Sequence, residues 1–353
     1  MDMKRNYYED VQLLTSPVVI FWFALLLVFL LCLPFVVTNY YVYVANYIAI
    51  NIIVAAGLNL LVGYTGQISL GHAGFFAIGA YGTVILMSKA DFPFFLALPC
   101  AGLTAAGFGF LLGLPALRLE GPYLSIATLG FGLTITQIIG RIEMFGGREG
   151  LHTPDIVMGP WIIDTDKEFY YLLITLTLTL TLFLVLLMRN LIKTRVGRAF
   201  IAIRDADIAA QTMGVNIVYY KTLAFAVSAF YTGIGGGLYA FVLKFIEPEI
   251  FTLMMSIMFL AMVVVGGLGS MMGSICGAAL LCWLDLKLRN ILDIPLVGDW
   301  LETLSKSWFS ITGVSNIQYI VFGSIMVAIM LFEPLGLYGV WLRTKRYWRT
   351  WPF

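Results

Sequence analysis

Apolar residues fill long uninterrupted stretches of this chain, and charged residues are confined to the segments between them. No Asp, Glu, Lys or Arg occurs between Val11 and Ser88. Further charge-free stretches cover residues 92–117, 121–140, 169–188, 222–243, 250–284 and 307–332. The hydrocarbon core of a bilayer is about 30 Å thick, and an α-helix needs about 20 apolar residues to cross it. The pattern therefore predicts a polytopic membrane protein.

Gly, Pro and polar residues divide the apolar stretches into ten predicted helical spans. The divisions at 63–65 and 269–271 fall in Gly-rich turns, and each is also compatible with a broken or re-entrant helix. The predicted fold class is all-α, a polytopic transmembrane bundle of about ten helices. Its spans are 18–37, 41–62, 66–87, 93–114, 122–140, 169–188, 222–243, 251–268, 272–288 and 314–332.

An alternating run of Thr and Leu at residues 175–182 has the period of a β-strand. The run lies within an apolar span of about 20 residues, whereas a transmembrane barrel strand has about 10. The length therefore favours a helix, in which the Thr hydroxyls bond to carbonyl groups one turn earlier.

The charges between the spans predict how the chain is oriented. If the N-terminus lies inside, most of the 21 basic residues fall on the cytoplasmic side and most of the 20 acidic residues fall outside, as the positive-inside rule expects. Both termini are then cytoplasmic. The resulting organisation is a cytoplasmic segment 1–17, a transmembrane domain 18–332 with an external loop 141–168 and a cytoplasmic loop 189–221, and a basic tail 333–353.

The two long loops carry different signals. The external loop is acidic, and it either docks an extracellular partner or caps the bundle. In the cytoplasmic loop, Ile201, Ile208, Ala209 and Met213 recur with helical spacing. This spacing predicts one amphipathic helix that lies outside the membrane.

The composition narrows the function. With 60% hydrophobic residues, 12% charged residues and a net charge of +1, the chain falls outside the range of soluble domains and is unsuited to nucleic acid. The four cysteines lie in apolar stretches without metal-ligand spacing or a disulfide framework. No phosphate-binding loop and no nucleophile–base pair occurs in the sequence. We therefore expect a protein that is not an enzyme and binds no cofactor itself.

Polar side chains inside the apolar spans are the candidates for a translocation path, because intramembrane polar groups usually face a bundle interior or a water-filled route. His72 stands out, since it is the only ionisable residue placed centrally in a predicted span. The alternative is that neighbouring helices simply satisfy these groups. The candidates are Asn59, Gln67, Ser69, His72, Thr128 and Gln137.

Small residues recur at four-residue intervals, and such ridges let helix backbones approach closely in lipid. We expect them to serve packing. The pairs and series are Gly109 and Gly113, Gly233 and Gly237, Gly269, Gly273 and Gly277, and Ser69, Ala73 and Ala77.

The scarcity of embedded charge also bears on the source of energy. Ion-driven carriers commonly need intramembrane acidic or basic residues, and channels often need charged or carbonyl-lined filters. The energy is therefore expected to come from another subunit, which could act on the cytoplasmic loop.

Several segments resemble the LivM-type membrane permeases of bacterial branched-chain amino acid ABC importers. Together they cover much of the chain between residues 57 and 278. They are GLNLLVGYTGQISLGHAGFFAIGAY (57–81), LPALRLEGPYLSIATLGFG (114–132), GGREGL (146–151), VGRAFIAIRDADIAAQTMGVNIVYYKTLAFAVSAFYTGIGGGLYA (196–240) and GGLGSMMGSICGA (266–278).

The resemblance implies a bacterial inner-membrane location and a set of partners. These are a second permease of the LivH type, two cytoplasmic ATPase subunits that bind the ATP, and an external solute-binding protein. It also implies that the segment 208–214, preceded by Asp207, inserts into the ATPase as an EAA-like loop does. The candidate coupling residues are Arg198, Arg204, Asp205, Asp207, Ala209, Ala210 and Gly214.

The resemblance implies transport of leucine, isoleucine or valine. A related permease class imports urea or short amides, and this alternative stays open. A stand-alone channel or secondary carrier would need no ATPase, and a membrane scaffold would need no coupling loop.

Overall fold

A computed structural model describes most of the chain from residue 38 onward. The described residues are 21, 38–116, 119, 121–158, 161–162, 166–292, 323–324, 326–329, 331–333 and 335–350. The predicted segment 1–17 lies outside them, as do nearly all of the predicted span 18–37 and about half of 314–332.

Long helices account for nearly all of the described residues. We number them α1 (Asn39–Asn59), α2 (His72–Ala90), α3 (Phe94–Ala116), α4 (Pro122–Ile139), α5 (Asp166–Lys193), α6 (Arg195–Asp205), α7 (Asp207–Thr212), α8 (Ile217–Leu243), α9 (Leu253–Gly266), α10 (Met271–Leu292) and α11 (Gly336–Thr350). Four two-residue strands form two antiparallel pairs: β1 (Leu151–His152) with β4 (Phe245–Ile246), and β2 (Val157–Met158) with β3 (Trp161–Ile162). The all-α prediction is confirmed, with these strands as a small addition.

Seven helices in the described part of the chain are long and apolar enough to cross a membrane. They are Asn39–Tyr64, His72–Ala90, Phe94–Pro115, Pro122–Ile139, Leu172–Lys193, Ile217–Leu243 and Met271–Leu288. The prediction of a polytopic bundle is confirmed.

The predicted span 66–87 has the wrong start. Its helix begins only at His72, because residues 65–71 are not helical. The span 251–268 corresponds to the 14-residue helix α9 (Leu253–Gly266), which ends where Gly267 adopts a φ of +119°. Such a positive φ strains any residue with a Cβ atom. The error in the start of α2 falls at the first of the two Gly-rich turns.

The alternating Thr–Leu run is helical, as predicted from its length. It lies within α5. The hydroxyl of Thr177 donates to the Leu173 carbonyl at 2.7 Å, and the hydroxyl of Thr181 donates to the Thr177 carbonyl at 2.7 Å. Both hydroxyls are therefore satisfied by the carbonyl one turn earlier, and Thr181 also reaches the Ala49 carbonyl of α1 at 3.3 Å.

The core of the bundle is the packing of α8 against α2 and α3. A methyl group added at Gly79 of α2 would lie 1.9 Å from the Gly233 carbonyl oxygen, and one added at Gly236 would lie 2.0 Å from the Phe76 carbonyl oxygen. On α3, a methyl group at Gly109 would lie 2.5 Å from the Ala229 Cβ. The small residues let these backbones touch, since dispersion at close range drives helix association in lipid.

The connecting segments gather at two opposite ends of the bundle. At one, which we call the strand end, β1 pairs with β4 and the Lys89 ammonium donates to the Met144 carbonyl at 3.0 Å. At the other, which we call the α6–α7 end, α6 lies over residues 63–66, and a methyl group at Gly267 would lie 2.6 Å from the Leu335 carbonyl oxygen. The predicted external loop 141–168 and cytoplasmic loop 189–221 are therefore at different ends.

Candidate functional site

The chain between α1 and α2 is broken inside the bundle. After α1 the helix continues as a π-turn over Leu60–Tyr64, and residues 65–71 are then non-helical. Gly66 adopts a φ of +72°, and the Gln67 N–H donates to the Leu61 carbonyl at 3.0 Å. We call residues 65–71 the polar break, because they carry polar side chains into a protein interior where unpaired backbone groups are costly.

His72 is the first residue of α2 and is fully buried. Its Nε2 lies 2.8 Å from the Ser228 hydroxyl on α8, and its Nδ1 lies 3.1 Å from the Ser69 hydroxyl in the polar break. A hydroxyl can donate or accept, so both ring nitrogens are satisfied in either neutral tautomer. The imidazole therefore ties the start of α2 to the middle of α8.

Two further hydroxyls complete what we call the polar cluster. Thr128 of α4 accepts the Leu70 N–H at 3.0 Å and donates to the Ser125 carbonyl at 2.9 Å. Ser256 of α9 accepts the Ala73 N–H at 2.9 Å. The first N–H groups of a helix lack intrahelical partners, and here a side chain from another helix supplies one. The polar cluster is Ser69, His72, Thr128, Ser228 and Ser256.

Two of the predicted path residues lie elsewhere. The Asn59 amide donates to the Ser270 carbonyl at 3.0 Å and accepts the Gly269 N–H at 2.9 Å. It therefore clamps the turn between α9 and α10 instead of joining the polar cluster. Gln137 is exposed near the opposite end of α4. Ser69, His72 and Thr128 are brought together, and Gln67 lies in the adjoining polar break.

The predicted single amphipathic helix of the cytoplasmic loop is wrong, because the chain forms two helices, α6 and α7. They meet at Ala206, whose extended backbone has a φ of −163° and a ψ of 94°. Asp207 accepts the N–H of Ile208 at 2.8 Å through its carboxylate, a local contact that competes with continued helix. The apolar residues of the two halves consequently do not share one face.

Helix α7 presents its apolar side chains to solvent. Ile208 is 76% exposed and Met213 is 85% exposed, whereas Ala210 is buried against the protein. Ala209 is exposed between them. The helix ends at Thr212, and Gly214 follows with a φ of +85°, the left-handed conformation that commonly ends a helix. An exposed apolar helix of this kind is suited to contact another protein.

Arg204 connects the helix pair to the polar break. Its guanidinium donates to the Gly63 carbonyl at 2.9 Å and pairs with the neighbouring Asp205 at 2.9 Å. Gly66 lies against the same side chain, since a methyl group there would be 3.3 Å from the Arg204 Cγ. Arg198 lies exposed one and a half turns earlier on α6. Of the coupling candidates described here, Arg204 makes the contact between the loop and the broken helix.

Sequence reasoning missed two residues of the polar cluster, Ser228 and Ser256, and one buried acidic residue, Asp285. Ser228 and Ser256 are isolated polar positions in apolar helices, and their presence in otherwise apolar runs was the available signal. Asp285 in α10 is only 5% exposed, so His72 is not the only ionisable residue buried in the predicted spans. Asp285 was overlooked because it lies just after a charge-free stretch, while the helix continues to Leu292.

Comparison with known proteins gives a consistent result. A family model described as "Branched-chain amino acid transport system / permease component" matches residues 40–330. The "High-affinity branched-chain amino acid transport system permease protein LivM" of Escherichia coli is 34% identical over 335 residues, which cover 88% of this chain and 73% of that protein. The LivM protein of Salmonella typhimurium matches to the same extent.

A more distant relative comes from an archaeon. The "Probable branched-chain amino acid transport permease protein LivM" of Methanocaldococcus jannaschii is 26% identical over 252 residues, covering 66% of each chain. No solved structure matches the chain.

Proposed function

Because this chain belongs to the family of branched-chain amino acid transport permease components, we propose that it is one membrane subunit of an ABC importer for leucine, isoleucine and valine. Its partners are a second permease of the LivH type, two cytoplasmic ATPases and an external solute-binding protein. ATP is bound and hydrolysed on the ATPases, and this chain supplies the moving membrane path.

One observation carries the proposal. The Arg204 guanidinium bonds to the Gly63 carbonyl, directly before the polar break, while the adjoining helix α7 exposes Ile208 and Met213. A partner that displaces α7 and α6 can therefore displace Gly63 and the polar break through Arg204. Packed elements respond to such pushes by moving between discrete arrangements.

The route continues into the bundle through the polar cluster. Movement of Gly63 shifts the polar break, which holds Ser69 against His72. His72 in turn bonds to Ser228 on α8, the helix that packs most closely on α2 and α3. A displacement at α6 can therefore alter the position of α8 relative to α2.

The sidedness of the proposal rests on charge. The α6–α7 end carries Arg195, Arg198, Arg204, Lys221 and Arg343, and basic residues favour the cytoplasmic side. The strand end then faces the external solute-binding protein.

Replacing Arg204 tests the proposed coupling. The change Arg204→Gln removes a charged hydrogen bond worth about 1.5–3 kcal/mol, so we expect uptake of labelled leucine to fall by about tenfold or more. Co-purification of the ATPases should persist, because α7 is unchanged. The matched control is Arg343→Gln at the same end, whose guanidinium pairs with Glu333; its uptake should stay normal.

Reconstitution into liposomes tests the wider assignment. The chain alone should not accumulate leucine against a gradient, and the complete set of subunits with ATP should do so. Uphill uptake by the isolated chain would contradict an ABC mechanism. Competition by urea or short amides, but not by valine, would instead assign the substrate to the related amide class.

A further inference from the structure

A small polar pocket lies at the α6–α7 end, between the helix pair and the membrane bundle. Its volume is about 300 Å³, at the lower end of the range found for ligand sites. Its walls are the polar break around Gln67, the start of α4 at Gly121 and Leu124, the α6–α7 junction at Ala206, and Lys221 of α8. The exposed Ile208 and Met213 are not among its lining residues, so a partner on α7 need not fill it.

Two basic and two acidic side chains line the pocket, and they differ in whether they already form an ion pair. Arg204 and Asp205 pair with each other, and Arg204 also bonds to Gly63. Asp207 accepts one backbone N–H through one carboxylate oxygen. Among the described residues, no ion pair joins Lys221 to Asp207 or to Asp205. One ammonium and one carboxylate thus line the pocket without neutralising each other.

Gln67 forms part of the pocket wall without offering an acceptor to a ligand. The residue is only 5% exposed, and its Oε1 is shielded from solvent, so a molecule in the pocket does not reach that oxygen. Asp207, which also lines the pocket, is the group that suits an ammonium.

The start of α4 favours a negative group. Pro122, the first residue of this 18-residue helix, has no N–H, so the free N–H groups begin at Tyr123; they lie at the positive end of the helix dipole. Gly121 and Leu124 line the pocket beside them. Together with Lys221, this wall suits a carboxylate, while Asp207 suits an ammonium.

We infer that this pocket binds a small zwitterion, an α-amino acid, from the side of the membrane to which the cargo is delivered. The sidedness and the identity of the cargo rest on the proposed function. A bound amino acid would bridge α4, α7, α8 and the polar break. Because the helix pair must shift relative to the bundle during coupling, the bridge holds the transporter in one state. Accumulated internal cargo thereby slows its own import.

The inference is tested in proteoliposomes that contain the complete transporter, with ATP and a varied concentration of unlabelled leucine inside. The initial rate of labelled leucine uptake is expected to fall as internal leucine rises. In Lys221→Gln, the internal concentration that halves the rate should rise by about tenfold or more. In the control Lys345→Gln, on α11 at the same end, it should stay within about twofold. Each variant is normalised to its own rate without internal leucine.

Two analogues separate the charged groups of the ligand. Leucinamide lacks the carboxylate and 4-methylpentanoate lacks the ammonium, so each should inhibit at least about tenfold more weakly than leucine. Lys221→Gln should not weaken the effect of leucinamide further. Equal inhibition of wild type and Lys221→Gln by leucine, or equal potency of leucinamide and leucine, would overturn the inference.

Calorimetry tests binding to the pocket independently of which cargo the transporter carries. Leucine is titrated into the purified complex without the solute-binding protein. Binding that is lost in Lys221→Gln and retained in Lys345→Gln supports the pocket, even if uptake assays assign the transporter another cargo. Binding that Lys221→Gln leaves unchanged counts against the pocket, even where leucine uptake is normal.

Discussion

The two Gly-rich turns of the bundle resemble each other in sequence but differ in structure. The polar break, residues 65–71, is seven residues long, and Ser69 within it bonds to His72 at the start of α2. The turn at 267–270 merely reverses the chain between α9 and α10, with Gly267 and Gly269 at positive φ. The end of α1, ahead of the break, contacts the turn at 267–270, where Asn59 bonds to Gly269 and Ser270. The polar side chains in a broken membrane helix therefore make it a candidate for function. The presence of glycine alone does not.

The largest effect is expected where the two turns touch. A methyl group at Gly63 would lie 2.3 Å from the Gly269 nitrogen, so Gly63→Val requires backbone movement in both turns. Overpacking of this kind costs about 1–3 kcal/mol or more, and we expect loss of monodisperse protein after solubilisation. Gly130→Val is the control, because nothing lies within 4 Å of a methyl group at Gly130. Normal yield and thermal stability of Gly63→Val would show that the turns pack independently.

The second effect concerns the helix pair α6 and α7, which contacts the polar break through Arg204. Ala209→Glu places a charge on the exposed surface of α7, and burying it against a partner without compensation costs several kcal/mol. Gly214→Val forces a β-branched residue to a φ of +85°, at a cost of about 1–3 kcal/mol. Both variants should insert into the membrane normally but lose leucine uptake and ATPase co-purification. Normal uptake in both would make the helix pair a solvated linker.

The third effect concerns the turn at 267–270 between α9 and α10. Asn59→Ala leaves the Gly269 N–H and the Ser270 carbonyl without their side-chain partner, which costs about 1–3 kcal/mol. We expect a lower thermal unfolding midpoint, with uptake per folded molecule unchanged. Asn51→Ala is the control, since that amide donates to the Tyr47 carbonyl within its own helix. Lost uptake in stable Asn59→Ala protein would instead place Asn59 in the path.

The smallest effect concerns the polar break itself. His72→Leu removes the two hydrogen bonds through which His72 joins Ser69 of the break to Ser228 of α8. Leucine is nevertheless favourable in a membrane helix. Insertion should therefore be intact, while the uptake rate falls. Ser228→Ala, which removes only one of the two contacts, should have a weaker effect. Unchanged uptake kinetics in His72→Leu would leave the histidine with a purely bracing role.

The helical spans could be predicted because their signal is local. Twenty apolar residues without a charge need no knowledge of neighbours, so α3, α4 and α8 were located within a few residues. The start of α2 at His72 could not be predicted, because Thr128 and Ser256, from distant parts of the chain, accept the N–H groups of Leu70 and Ala73 there. The same reason hid Ser228, which matters only through its contact with His72.

The loop between α5 and α8 was located correctly, but its shape was not. Helical spacing of Ile201, Ile208 and Met213 is compatible with one continuous helix. The extended backbone at Ala206 accompanies the contact of Arg204 with Gly63, 141 positions away in sequence. Hydrophobic periodicity reports only on neighbouring positions of the same helix, so it could not indicate this contact.

The close packing of α8 on α2 and α3 has a consequence for biosynthesis. Both of the earlier helices leave the ribosome well before α8, and at about 5–20 residues per second the delay is on the order of ten seconds. During that time the surface around Gly79 and Gly109 is complete but lacks the backbone that it contacts in the mature protein. The nascent hairpin must therefore persist in lipid with an open groove, and assembly is finished only when a helix made much later is inserted beside it.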